Sequence, residues 1–156
     1  MHPAILLDFV NVFFAGLLAG MELVLHYGLL VPVAVLDDHA QLQFRQALVL
    51  RVRVLVPAFF VPTLGSGIAV TLLDSAAPGL WLRYLGVFAM LIWILIRVVG
   101  TVPINSATLD WQLNDPPKNW KERINHAERF HIVGTWAAVM TFAFFLAALA
   151  LKLTTF

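Results

Sequence analysis

Glu22 and His26 stand four residues apart inside an otherwise apolar run, so on a helix they share one face, a single turn apart. A charge at the centre of a bilayer costs about 3 kcal/mol on insertion scales, so ionisable residues in such a run call for a reason. Stepping backward at helical spacing adds Ala19, Ala15 and Asn11 to the same small, polar stripe. Farther along, Trp93, Arg97 and Asn105 mark the end of another apolar run, and His131 opens a last one, followed at helical spacing by Thr135 and Ala138. Glu22, His26 and His131 are ligand types suited to iron, copper or zinc, and His26 with His131 is a conceivable haem pair. The same side chains also serve as interhelical hydrogen-bond partners, with Arg97 either pairing with Glu22 or snorkelling to the interface. His126 lies five residues before His131, which turns the two rings about 140° apart on a continuous helix. It is expected to point away and to pair with Glu122 at the surface.

These residues must be positioned by a membrane domain. The 156-residue chain is 61% hydrophobic and 12% charged, too little polar surface to cover a water-soluble globule. That composition excludes a cytosolic enzyme, a disordered chain and a nucleic-acid binder with a basic face. The absence of cysteine removes disulfides, thiolate nucleophiles and Cys-type zinc or iron–sulfur sites. Four runs reach the length a bilayer-spanning helix needs, at about residues 9–36, 54–73, 80–102 and 132–151. The expected fold is an all-α membrane protein, a single domain over 1–156 forming a four-transmembrane-helix up-down bundle. Asp74 to Gly79 reads as a tight turn between the second and third spans. Gln41 to Leu48 reads as a helix entering the second span. Asn114-Asp115-Pro116-Pro117 is a breaker, after which Lys118 to Phe130 restarts as an amphipathic helix, so the joint before the last span is partly helical. Pro57, Pro62, Gly65 and Gly67 predict a kink or unwinding in the second span.

The opening Met1-His2-Pro3 carries no Lys or Arg, and the apolar run behind it is too long for a signal-peptide core, so that run is expected to be retained. Arg45, Arg51, Arg53, Arg97, Lys118, Lys121, Arg123 and Arg129 fall on one side of the bundle, against Arg83 and Lys152 on the other. The positive-inside rule then puts both long joints in the cytoplasm and both termini outside it. Alternation of the spans gathers Glu22, His26, Trp93, Arg97, Asn105 and His131 toward the joint side, which predicts a polar cavity opening to the cytoplasm. Gly16 and Gly20 form a GxxxG pattern that lets another helix approach closely. A non-catalytic alternative therefore exists: a small integral subunit that binds a membrane partner, a second copy of itself, or lipids.

One further pattern joins these features. Ala15-Gly16-Leu17-Leu18-Ala19-Gly20-Met21 followed by Pro32, Val56-Pro57-Ala58, Val102-Pro103-Ile104-Asn105, and then Trp120, Arg123, His131 and Thr135 occur in order. The series resembles the anthrone oxygenase-like family of small four-helix membrane proteins, over nearly the whole chain. Gly134 departs from it, standing where members often carry arginine. The resemblance implies an oxidoreductase that converts an anthrone to an anthraquinone, with no metal or organic cofactor expected and a flat hydrophobic aromatic as substrate. In such chemistry a base removes a proton from the methylene and the electron-rich anion reduces oxygen while the pocket stabilises negative charge. Glu22 or His26 is then the expected base, His131 and Asn105 the expected donors to the oxyanion, and Asn11, Trp93, Arg97 and Trp111 the substrate-binding set, with Trp93 and Trp111 stacking on the ring system.

Overall fold

The computed structural model describes residues 3–76 and 78–154; Met1 and His2, ahead of the first span, and Ala77, inside the expected turn, lie outside them. Four helices are each long and apolar enough to cross a bilayer: α1 (Ile5–Val33), α2 (Asp38–Leu73), α3 (Leu80–Thr108) and α4 (Trp120–Leu153). They form an up-down bundle in which α3–α4, α1–α2 and α1–α4 pack extensively and α2–α3 only thinly. The helices outrun the apolar windows because amphipathic turns extend α2 and α4 beyond the hydrocarbon-length core. Asp37 starts α2, its side chain accepting from the Ala40 N–H at 2.9 Å. Gly79, in the left-handed region at φ 80°, starts α3, where a side chain would be strained.

The unwinding expected as one outcome in α2 is found elsewhere. α2 runs uninterrupted through Pro57 and Pro62, whereas α1 and α3 widen into π turns over Val24–Leu30 and Arg97–Thr101. The N–H of Val31 bonds to the His26 carbonyl and that of Val102 to the Arg97 carbonyl, each five residues back. A proline follows each closure, Pro32 and Pro103, and it has no N–H to give and a ring that clashes with the carbonyl four residues earlier. Widening the turn relieves the clash. One inserted residue advances the following side chains by about 100° around the axis, and the residues in the two turns include His26 and Arg97.

The end of the bundle opposite the long joints is held by charge. Asp8 of α1 accepts from Arg83 Nη2 of α3 at 2.9 and 3.2 Å and from Lys152 Nζ of α4 at 2.7 Å. Lys152 also reaches Asp74, at the end of α2, at 2.6 Å, and Arg83 Nη1 donates to the carbonyls of Val70 and Asp74. Asp8, Arg83 and Lys152 are all buried. Two acids and two bases thus tie all four helices without net charge. Between this cluster and the bundle centre, the buried Phe145 ring enters a slot made by Gly67 of α2 and Gly86 of α3, where a Cβ would stand 2.7 and 3.0 Å from it. Of the GxxxG pair, Gly16 lies under Phe142 of α4, while Gly20 meets nothing within 4 Å.

At the other end, Leu42, Trp111, Trp120 and Ile124 form a small core between the start of α2 and the α3–α4 joint. Gln46 secures it by donating to the carbonyls of Thr108 and Trp111 at 2.8 and 2.9 Å.

Asp8→Ala leaves Arg83 and Lys152 facing a single acid in a buried site, and is expected to lower stability by about 3–5 kcal/mol, read from thermal unfolding in detergent micelles. Gly100→Ala normally favours a helix by about 1 kcal/mol. Here a Cβ at Gly100 would stand 2.6 Å from Phe130 Cβ and closer still to its ring, so the same measurement is expected to show a loss of about 1–3 kcal/mol.

Candidate functional site

The polar stripe of α1 is buried along its length: Asn11, Ala15, Ala19, Glu22 and His26 all face the bundle. Its members do different jobs. Asn11 Nδ2 donates to the Thr63 carbonyl at 3.0 Å and to Ser66 Oγ at 3.1 Å, which ties α1 to α2. Eleven residues, or about 16 Å of helix, separate it from Glu22. Glu22 is fully buried; Trp93 Nε1 donates to its Oε1 at 3.3 Å and Arg97 Nη2 to its Oε2. In an apolar bundle a carboxylate and a guanidinium that meet this way bring in two charges and leave none uncompensated. The guanidinium also stands over the Trp93 ring, 5.4 Å from its centre, and that ring stacks on Phe60 at 5.2 Å.

The same Arg97 Nη2 is 3.3 Å from His131 Nε2. Arginine only donates, so Nε2 accepts and the ring proton sits on Nδ1. Nδ1 lies 3.2 Å from Thr135 Oγ1, whose own proton goes to the His131 carbonyl at 2.9 Å. Every proton in this chain has a destination, which fixes the imidazole as neutral with its lone pair toward Arg97. His26 completes the group by stacking on His131, ring centres 5.5 Å apart, and its buried Nδ1 has no hydrogen-bond partner.

A cleft of about 210 Å³ lies beside the cluster, between α2 and α3. Val49, Val52, Val56 and Pro57 form its apolar wall, Arg97, Thr101 and Asn105 its inner side, and Arg53, Val102 and Ser106 its mouth. A smaller chamber of about 40 Å³ continues inward to His131, Ala127, Arg45 and Glu128. Arg97 spends Nη2 on Glu22 and His131. Its Nε is buried without a hydrogen-bond partner, near Gly134 of α4, and among the described residues its Nη1 makes no hydrogen bond. Thr101 Oγ1 and Asn105 Oδ1 are likewise buried and unpartnered.

The structure therefore brings Glu22, His26, Trp93, Arg97 and His131 together, with Asn105 farther along the same inner side of the cleft, and leaves two expected residues apart. Asn11 belongs to the α1–α2 tie. Trp111 packs in the joint-end core with Arg123 5.1 Å above its ring, away from the cleft. Glu22 and Trp93 stand behind Arg97 and do not wall the cleft. His126 is exposed as expected, but packs edge-on against Phe130 at 5.1 Å and is not paired with Glu122. Among the described residues, no three His, Asp or Glu side chains are placed to share a metal ion; the guanidinium of Arg97 occupies the position between Glu22 and His131.

The ion pair of Arg45 with Glu128, which closes the chamber toward the joint end, was not foreseen. By sequence alone Arg45 is one positive charge among several near the start of a span. Its position three residues after Leu42, on the face that carries Val49 and Val52, is the signal that it turns inward. The Asp8, Arg83 and Lys152 cluster was also missed, although each is an isolated charge at the edge of a span.

Glu22→Ala strands Arg97 in the bundle and is expected to cost about 3–5 kcal/mol in thermal unfolding. The double variant Glu22→Leu with Arg97→Met, which replaces the pair by apolar groups, is expected to recover most of that loss.

Compared with protein-family models, with curated proteins and with solved structures, the chain finds no match in any of the three.

Proposed function

We propose that this chain is a membrane-embedded oxygenase acting on a flat hydrophobic aromatic of anthrone or quinone type, seated in the cleft between α2 and α3. The observation that carries the reading is a buried guanidinium, its Nε without a hydrogen-bond partner, on the inner side of an otherwise largely apolar cleft. Donors already fixed where negative charge develops favour an anion formed from the substrate without reorganising at the moment of reaction. The ordered motifs that resemble the anthrone oxygenase-like family support the same chemistry, with no metal or organic cofactor required.

In this reading the substrate carbonyl meets Arg97, and the doubly benzylic CH₂ across the central ring, conjugated to that carbonyl through the aryl rings, gives its proton to His131. Nε2 of His131 becomes available as Arg97 shifts its donors to the new oxyanion. The carbanion reduces O₂, the C–O bond forms and the hydroperoxide collapses; overall Ar₂CH₂ + O₂ gives Ar₂C=O + H₂O. Asn105 adds a polar contact to the oxyanion. Glu22 is a positioning residue that holds Arg97, and His26 supports the His131 ring. The termini face the non-cytoplasmic side, because eight Lys and Arg residues lie toward the joint end and the two at the other end, Arg83 and Lys152, are bound in ion pairs.

A metal or haem held by Glu22, His26 and His131 is the competing catalytic reading and requires Arg97 to leave its seat. A non-catalytic subunit that binds a partner or lipid is the other. The deciding experiment places the purified protein in lipid nanodiscs with anthrone and follows O₂ uptake and anthraquinone absorbance. Turnover above the protein-free rate is expected, unchanged by a chelator, with Arg97→Ala lowering it about 10²-fold or more. Loss of turnover on chelation would favour the metal, and a rate no faster than the protein-free control would overturn the oxygenase reading.

A further inference from the structure

We infer that the site is loaded sideways from the acyl-chain region of the bilayer, through the cleft between α2 and α3, and not from water along the bundle axis. This rests on the reading above only in taking the cleft as the ligand's seat.

The axial route is shut by three layers of side chains. Arg45 of α2 and Glu128 of α4 meet across the inner chamber, with Arg45 buried. Beyond them, toward the joint end, the core of Leu42, Trp111, Trp120 and Ile124 fills the space between α2 and α4. Gln46 then fastens α2 to the α3–α4 joint through two carbonyls. Opening this end means breaking an ion pair whose Arg45 is buried, though Glu128 is partly exposed, and exposing two tryptophans to water, both unfavourable.

The lateral route has no such cover. Residues of α2 and α3 alone line the outer cleft. Its inner side, Arg97 and Thr101, is buried, while Arg53, Pro57 and Val102 at the mouth are exposed. The mouth is flanked by Val54 on α2 and by Val98 and Val99 on α3, each at least 60% exposed. Large apolar side chains that stay exposed on helices of spanning length face lipid, so the opening lies within the lipid-facing surface. Thin α2–α3 packing leaves the gap. At about 210 Å³ the cleft falls below the roughly 300–1,000 Å³ of drug-sized sites, which suits a small fused-ring molecule dissolved in the membrane and not a lipid with its headgroup. Arg53 at the mouth gives the entry a cationic rim, and such a side chain reaches the interface by snorkelling.

Cysteine labelling tests the route without requiring turnover, and the native chain contributes no cysteine to confuse it. Thr101→Cys, on the inner side, and Val52→Cys, on the wall, are reconstituted in liposomes. Each is exposed to a pyrene maleimide that partitions into the bilayer and to a charged methanethiosulfonate confined to water. The maleimide is expected to label both positions at least tenfold faster, relative to the rates of the two reagents on a cysteine placed at the exposed Glu122. Adding Arg45→Ala to Thr101→Cys is expected to raise the methanethiosulfonate rate severalfold by unsealing the axial path. Equal relative rates of the two reagents in the parent would overturn the proposal. So would protection from both reagents at both positions when the same thiols react in dodecyl sulfate, or an axial rate that Arg45→Ala does not move. None of these outcomes depends on oxygenation, so failure of the route and failure of the reaction remain separate results.

Discussion

A carboxylate cannot stay charged inside an apolar helix bundle unless something answers it, and in this molecule Arg97 answers Glu22. Much of the centre follows from that contact. Glu22 is out of reach of water, so the guanidinium is drawn inward from the end of α3 and held above Trp93, whose indole N–H meets the other carboxylate oxygen. With its direction set, Arg97 determines the tautomer of His131, and His131 in turn determines how Thr135 spends its proton. A single electrostatic requirement thus orders side chains from three helices and leaves Arg97 Nε without a partner.

The bundle solves the same problem twice by different means. Near the cleft the charges are arranged as a pair with spare hydrogen-bonding capacity. At the far end, Asp8, Asp74, Arg83 and Lys152 form a set without net charge that borders neither the cleft nor its inner chamber, although Arg83 Nε there is also buried without a partner. Burial and charge alone do not separate a site from a fastening. The difference is whether polar atoms remain without partners beside open volume.

Much of this was readable from residue order. Span lengths, the inward stripe of α1 and the gathering of Glu22, His26, Arg97 and His131 all follow from helical periodicity and alternation, which are local properties. Long-range partnerships are not local. Nothing in the spacing of Asn11 says that it will be consumed by Thr63 and Ser66, and nothing around Trp111 distinguishes an aromatic that stacks on a ligand from one that packs against Leu42 and Trp120. The prolines misdirected attention for a similar reason. Pro57 and Pro62 are accommodated within an unbroken α2, while Pro32 and Pro103 widen the turns ahead of them, and the outcome depends on whether neighbouring helices leave room for a wider coil. The joint end carries a small core of Trp111 and Trp120 with Leu42 and Ile124, a long-range packing that the residue order of the joint does not announce.

The Phe145 ring, inserted between Gly67 and Gly86, gives α2 and α3 a common pivot close to the end where the four charges lock the helices. Fifteen residues separate Gly67 from Val52, about 22 Å along α2. A tilt of about five degrees at the ring would therefore part the helices by roughly 2 Å at the level of Val52, by the same helical geometry. That tilt is opposed beyond the cleft by Gln46, which fastens α2 to the Thr108 carbonyl at the end of α3, so the two helices are held on both sides of the gap.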